Sequence, residues 1–172
     1  MGLYDDDNNA VTSGDQNDKE YWYSKAHAEA LDLALKQKQP EGAIKDFLAE
    51  AIKVHDAALA KFPNHAEVKA WKEKAETIKS KINPKAEWDR WKPDWPWDSP
   101  FLHGWVEYNW AVCARAAGDW ATVYEQARAA DNHLGDYGAK KHYKSWSEDL
   151  RAWVDRAYDH AKEIWEESRK HR

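Results

Sequence analysis

The stretch EGAIKDFLAEAIKVHDAALAKFPN, residues 41–64, decides how this chain folds. Its apolar and ring positions Ile44, Leu48, Ala51, Ile52, His55, Ala58, Leu59 and Phe62 recur three and four residues apart. That spacing follows the 3.6-residue repeat of an α-helix and gathers them on one broad face. Pro63 and Asn64 then close the helix, because proline lacks the N–H of the next turn and pushes the residue before it out of helical conformation. Directly beyond, Val68, Trp71, Ala75, Ile78 and Ile82 alternate three and four apart, which is the seam of a helix packed on a near-antiparallel neighbour. Asn83-Pro84 ends it. Two amphipathic helices joined by so short a turn form a hairpin, and the hairpin is the unit in which the rest of the chain reads.

Upstream, Asp18 caps a helix over about 18–38 with Trp22, Ala28, Leu31 and Leu35 near helical spacing, and Pro40 with Gly42 breaks it. Downstream, Ser99-Pro100 is an N-cap followed by proline at the first helical position. It opens a helix to about Ala117 with Leu102, Trp105, Asn109, Val112 and Ala116 on one side, and Gly118 stops it. Asp119 caps a helix over about 119–133 carrying Trp120, Val123, Ala127 and Ala130, and residues 134–138 form a turn. The last helix, about 139–170, sets Trp146, Leu150, Trp153, Ala157, His160 and Ile164 on a four-three alternation, widened by Ala161 and Trp165. Alternating β-branched runs bounded by hairpin turns are absent. The expectation is an all-α fold of about six helices in antiparallel hairpins, a stack or bundle. Residues 19–172 read as one helical domain, with halves 19–84 and 100–172 joined by a connector over 85–99.

A chain of 172 residues buries roughly 70% of its unfolded surface and needs no metal or disulfide to hold a core. The net charge of −5 resides in the first twenty residues, where six acids face one base, and the remainder carries 25 of each sign. Residues 1–18 have almost nothing to bury and are expected to be a disordered acidic tail. A neutral body lacks the electrostatic footprint of a nucleic-acid binder. From Lys61 to Lys85 seven lysines outnumber three glutamates, but their interleaving is that of a solvated helix face. Cys113, the only cysteine, excludes an intrachain disulfide and reads as a small buried apolar residue. No apolar run approaches the roughly 20 residues of a membrane span, and the first 20 residues hold no hydrophobic leader. The expectation is a soluble protein without membrane insertion, placed most simply in the cytoplasm, with secretion or the periplasm as the alternative if a leader preceded Met1-Gly2.

The connector holds the sharpest signal. Twelve tryptophans occur in the chain, and Trp88, Trp91, Trp95, Trp97 and Trp105 crowd around Pro93, Pro96 and Pro100. Four of them alternate with Asp89, Asp94 and Asp98, and aromatic faces beside carboxylates suit a cation, a sugar ring or the apolar anchor of a partner. The structural reading of the same residues is a seal, large rings closing the core between the two halves. These five tryptophans are the candidate binding residues.

The stretch from Ala51 to Asn64 resembles the second helix of a tetratricopeptide repeat, with small Ala51, a ring at His55, small Ala58 and the closing Pro63 at that family's offsets. Trp110-Ala111, the turn Gly118-Asp119-Trp120, and Ala127 with Ala130 resemble another such hairpin. The departures are Val123 at a small-residue position, Ala114 in place of a tyrosine, no proline at the expected place after Ala130, and no strict 34-residue period. The resemblance spans about a third of the chain and implies a tetratricopeptide-like stack that binds protein or peptide on a concave face.

Catalytic chemistry leaves no signature. The eight histidines show no His-Glu-x-x-His, no Glu-x-x-His pair of the di-iron type and no Cys-x-x-Cys-His. The nearest constellation is Asp155, Asp159, His160 and Glu163 on the last helix with Glu50 and His55 on the second; isolated His55 and His160 read as core-edge residues. No glycine-rich phosphate loop occurs, and neither Ser99 nor Ser145 lies in a nucleophile elbow. No residue takes a catalytic or metal-binding role and no cofactor is expected. The reading is a non-enzymatic interaction or scaffold module that binds a partner protein or itself. The alternative is a small-ligand binder or enzyme with a tryptophan-lined pocket near 85–110.

Overall fold

The computed structural model of the protein describes residues 18–36, 38–87, 99–135 and 148–171. Six helices follow in chain order: α1 Lys19–Lys36, α2 Glu41–Lys61, α3 Ala66–Lys81, α4 Ser99–Ala117, α5 Trp120–Leu134 and α6 Glu148–Arg169. No strand occurs among the described residues. The acidic segment 1–17, the connector indoles Trp88, Trp91, Trp95 and Trp97, and the first part expected of the last helix, 139–147, lie outside them.

The helix ends follow the local chemistry. Asp18 accepts from the backbone N–H of Glu20 and Tyr21 at 2.9 and 3.2 Å, satisfying two donors that have no carbonyl partner in the first turn. Asp119 does the same for α5, accepting from Thr122 N and from its hydroxyl. At the α4–α5 turn Gly118 adopts φ 75°, which a residue lacking Cβ enters without cost. Lys38 closes α1 in the same left-handed region at φ 54°, while Gln39 N–H bonds back to Ala34 O. A lysine is strained there. Lys38→Gly is expected to raise the unfolding free energy by about 0.5–1 kcal/mol in a urea titration, and a loss of stability would show that the turn does not hold this conformation.

The helices form two three-helix halves. Within the first, α1 packs on α2 and α3 and α2 on α3; within the second, α5 packs on both α4 and α6, and α4 on α6. The halves meet mainly where α1 lies on α4. Helix α1 therefore has neighbours around most of its circumference, and it buries Tyr21, Trp22, Ser24, Ala26, His27, Ala30, Leu31, Leu33 and Ala34. A helix enclosed in this way cannot show a single apolar stripe. The expected stripe through Ala28 and Leu35 is accordingly displaced, with Leu35 at 37% exposure.

One core runs through both halves. Leu48, Ala51, Ala58, Val68 and Ala75 fill the first, and Ala111, Cys113, Val123, Ala127, Leu134 and Ile164 the second. Cys113 is a buried thiol outside any disulfide, as its setting in Ala-Val-Cys-Ala predicts. Gly104 lets α4 and α5 approach closely, since a Cβ on it would meet Leu134 at 2.8 Å. On α6 the buried line is Val154, Ala157, Ala161, Ile164 and Ser168. That is one residue round from the expected start at Trp153, whose half-buried ring packs at the edge of the core with the Lys36 ammonium 5.5 Å over its face. An indole is too large for the narrow seam but covers its margin well.

Candidate functional site

Where α1, α2, α4 and α5 converge, the fold assembles a chain of ring side chains that no sequence spacing announces. Its inner end is in the first half. Ser24 Oγ and His55 Nδ1 lie 2.6 Å apart with both side chains fully buried. Three residues along α1, His27 is equally buried; its Nδ1 lies 2.8 Å from Tyr23 O and its ring stacks on Phe47 at 5.5 Å. A carbonyl oxygen only accepts, so Nδ1 of His27 carries the hydrogen and Nε2 is left as a bare base. The Nε2 atoms of His27 and His55 are both buried without a hydrogen-bond partner.

The outer end crosses to the second half. Tyr23 sets its ring edge against His27 at 4.6 Å, and its hydroxyl lies 3.4 Å from His103 Nε2 on α4. His103 stands 5.8 Å from His133 of α5, ring to ring, and His133 Nδ1 lies 2.6 Å from Glu107. Helical periodicity explains the local placement: Tyr23 and His27, and likewise His103 and Glu107, are four residues apart and share a helix face. The α4–α5 hairpin brings in His133 beside Gly104.

Burial sets the electrostatics of this chain. Desolvation holds His55 down to about 4, with the charge of His27 acting in the same direction and Asp56 opposing. His27 is lowered by burial against the opposing backbone hydrogen bond and Glu50. His103 is lowered by loss of solvent, then by His133 and Lys19. Glu107 is raised by burial even though His133 pulls the other way. Tyr23 is raised by burial and by the charge of Glu50. At neutral pH His27, His55 and His103 are therefore uncharged.

The other expected site residues fall elsewhere. Trp105, 1% exposed, donates its indole N–H to Glu29 of α1 at 2.9 Å and closes the α1–α4 seam. Trp88, Trp91, Trp95 and Trp97 lie outside the described residues. The carboxylate–histidine constellation is divided by the fold: His55 belongs to the α1–α2 core, whereas His160 Nδ1 lies 2.7 Å from the hydroxyl of Tyr108 in the other half. Among the described residues no three His, Cys, Asp or Glu side chains converge in a way that would hold a metal ion. Surface grooves of about 650 Å³ between α2 and α3, lined by Ala49, Ile52 and Ile82, and about 730 Å³ along α6 beside Arg115 and His160, are open to solvent. No described helix is long and apolar enough to cross a membrane.

The architecture so defined is that of an all-α protein of two three-helix halves joined through α1 and α4. Comparison of the chain with protein-family models, with curated proteins and with solved structures finds no match.

Proposed function

We propose that this protein is a non-enzymatic helical interaction or assembly module, binding a partner protein or a second copy of itself. The observation that carries the reading is how the histidines are used. All seven described imidazoles are engaged with neighbouring groups: His55 with Ser24, His27 with Tyr23 O, His103 with Tyr23, His133 with Glu107 and His160 with Tyr108. His65 caps α3 through Val68 N, and His171 stacks on Trp120 at 3.9 Å. Groups that a catalyst would aim at a substrate instead serve the fold, His27 and His65 within their own helix or its cap and the others between elements. The hairpin packing inside each half, with Ala51, His55, Ala58, Ala111, Ala127 and Ala130 all buried, supports a tetratricopeptide-like relationship. The α1–α4 contact that joins the halves differs from simple end-to-end stacking.

Among the described residues Leu35 is the only exposed large apolar side chain, and the contact residues of this reading are Trp88, Trp91, Trp95 and Trp97, chosen on their sequence setting. Changing Trp88, Trp91, Trp95 and Trp97 together to Ala is expected to cost little unfolding free energy and to abolish the growth of scattering mass with concentration or the capture of a partner. Tryptophan quenching read on the same samples should show rings that are accessible in dilute chain and protected in the assembled form. Stable monomer with every indole protected at all concentrations would refute the reading.

A small-ligand site near 85–110 is the second reading. It is favoured by the Tyr23–His103–His133–Glu107 run, which opens on the surface four residues beyond Ser99, where the connector meets α4. A ligand-dependent shift of the His103 and His133 ring signals, with no change of mass, would select it.

A further inference from the structure

The buried end of the histidine chain has no role in holding a partner, and its placement is costly. An imidazole whose Nε2 is buried without a partner forgoes a hydrogen bond, and two such rings, His27 of α1 and His55 of α2, lie in the first half. Phenylalanine or leucine would pack the same space without that cost. What an imidazole adds is a proton-dependent charge.

Protonating His27 adds an N–H and a full charge to Nε2. This atom is closed in among side chains of α1 and α2, with Phe47 stacked on the ring and no acceptor in reach. Protonating His55 leaves both ring nitrogens as donors, and only Ser24 Oγ is within hydrogen-bond distance. Each charge is disfavoured in place, so both imidazoles accept a proton more readily once α1 moves off α2. The same helix holds α4 through Tyr23 and His103, and protonated His103 would face His133 and Lys19.

We propose that α1 is an acid-released clasp: protonation of His27 and His55 at the α1–α2 contact frees α1 from α2, α3 and α4 while α5 and α6 remain folded, uncovering its buried apolar surface. That this face then serves a partner rests on the interaction reading above; the release itself does not.

On α2, Glu50 faces His27 and Tyr23, and Asp56 faces His55; both favour the protonated rings and are outweighed by burial. From α3, Trp71 lies 6.2 Å from the His55 ring and His65 packs on Tyr21 at 5.2 Å, so that helix brings no anion to either buried imidazole. From α4 and α5, Glu107 is engaged by His133, and from the start of α1 Lys19 repels a charge on His103. Among the described residues no carboxylate is within hydrogen-bond distance of Nε2 of either buried ring.

Hydrogen exchange of the full chain, followed segment by segment at pH 7, 6 and 5 in dilute solution and corrected for intrinsic rates, tests the clasp. Protection over 19–36 is expected to fall by about twenty-fold or more between pH 7 and 5 from His55 alone, with α5 and α6 unchanged. In the double variant His27→Phe/His55→Gln, which keeps ring volume at one site and a polar partner for Ser24 at the other, α1 should stay protected across the series. Loss of protection in all six helices together, an α1 indifferent to pH, or a double variant as acid-sensitive as the native chain would overturn the proposal. If that variant does not fold, the ring carbon resonances of the native chain decide: His27 and His55 titrating at the ordinary imidazole value while α1 stays protected would also overturn it. Because exchange is read on the isolated chain, its outcome is independent of whether any partner is found.

Discussion

Trp105→Ala is expected to lower the unfolding free energy by about 3–5 kcal/mol, the largest effect of any single substitution in the connector-to-α4 region. The indole is 1% exposed, lies within 5.6 Å of Tyr108 ring to ring, and donates to Glu29 across the α1–α4 seam. Truncation removes its apolar contacts, opens a cavity between the halves and strips Glu29 of its donor. Because α1 on α4 is the principal contact between the halves, the urea transition should also broaden as they begin to melt separately. Trp105→Phe, which keeps most of the ring but not the N–H, should lose about 1–2 kcal/mol and keep a single transition. A cost below about 1 kcal/mol for the alanine variant would mean that Trp105 does not seal the seam.

Acidification is the second large effect. The His55 imidazole is held to about 4 in the folded chain and relaxes to an ordinary value near 6.5 on unfolding. The unfolded state therefore binds the proton first, and stability is full above pH 6.5 and declines as pH falls toward 4. From this group alone the loss is about 2 kcal/mol by pH 5 and about 3 kcal/mol by pH 4, with His27 acting in the same direction. Glu107 and Asp131 oppose it, since both are raised by burial and take up a proton more readily when folded. Urea midpoints measured from pH 7.5 to 4 should fall with a slope reduced in His55→Gln. A flat profile between pH 6.5 and 5 would refute neutral burial of this pair. Set against the 5–15 kcal/mol of a typical domain, the effect is large enough to matter at mildly acid pH.

The helices themselves were legible. Asp18 and Asp119 as caps, Pro63 and Gly118 as stops, and the Ile44 to Phe62 spacing are local matters, fixed by which side chain can satisfy a terminal N–H or follow a 3.6-residue period. Where the sequence reading slipped, the number of neighbours was the reason. A stripe search assumes one buried face, whereas α1 is enclosed by three helices, and so Leu35 was placed inward and His27 overlooked. On α6 Ala157, Ala161 and Ile164 lie on the buried line as expected, whereas Val154 takes the place expected of Trp153, a difference that periodicity does not resolve.

The histidine chain was not legible at all, and the reason is chain distance. His27, His103 and His133 lie on three helices, so no motif window contains them. Only the intervals of four between Tyr23 and His27 and between His103 and Glu107 hinted at shared faces. The sequence by itself determined the six helices of the described residues, the caps and stops at Asp18, Pro63, Gly118 and Asp119, and the buried character of Cys113, because each of these depends on groups within a few residues of one another. The tertiary structure alone decided that α1 lies on α4, that Trp105 seals them, and that His55 of α2 and His103 of α4 meet α1 at Ser24 and Tyr23, because these contacts form only after hydrophobic packing has selected which helix faces oppose each other.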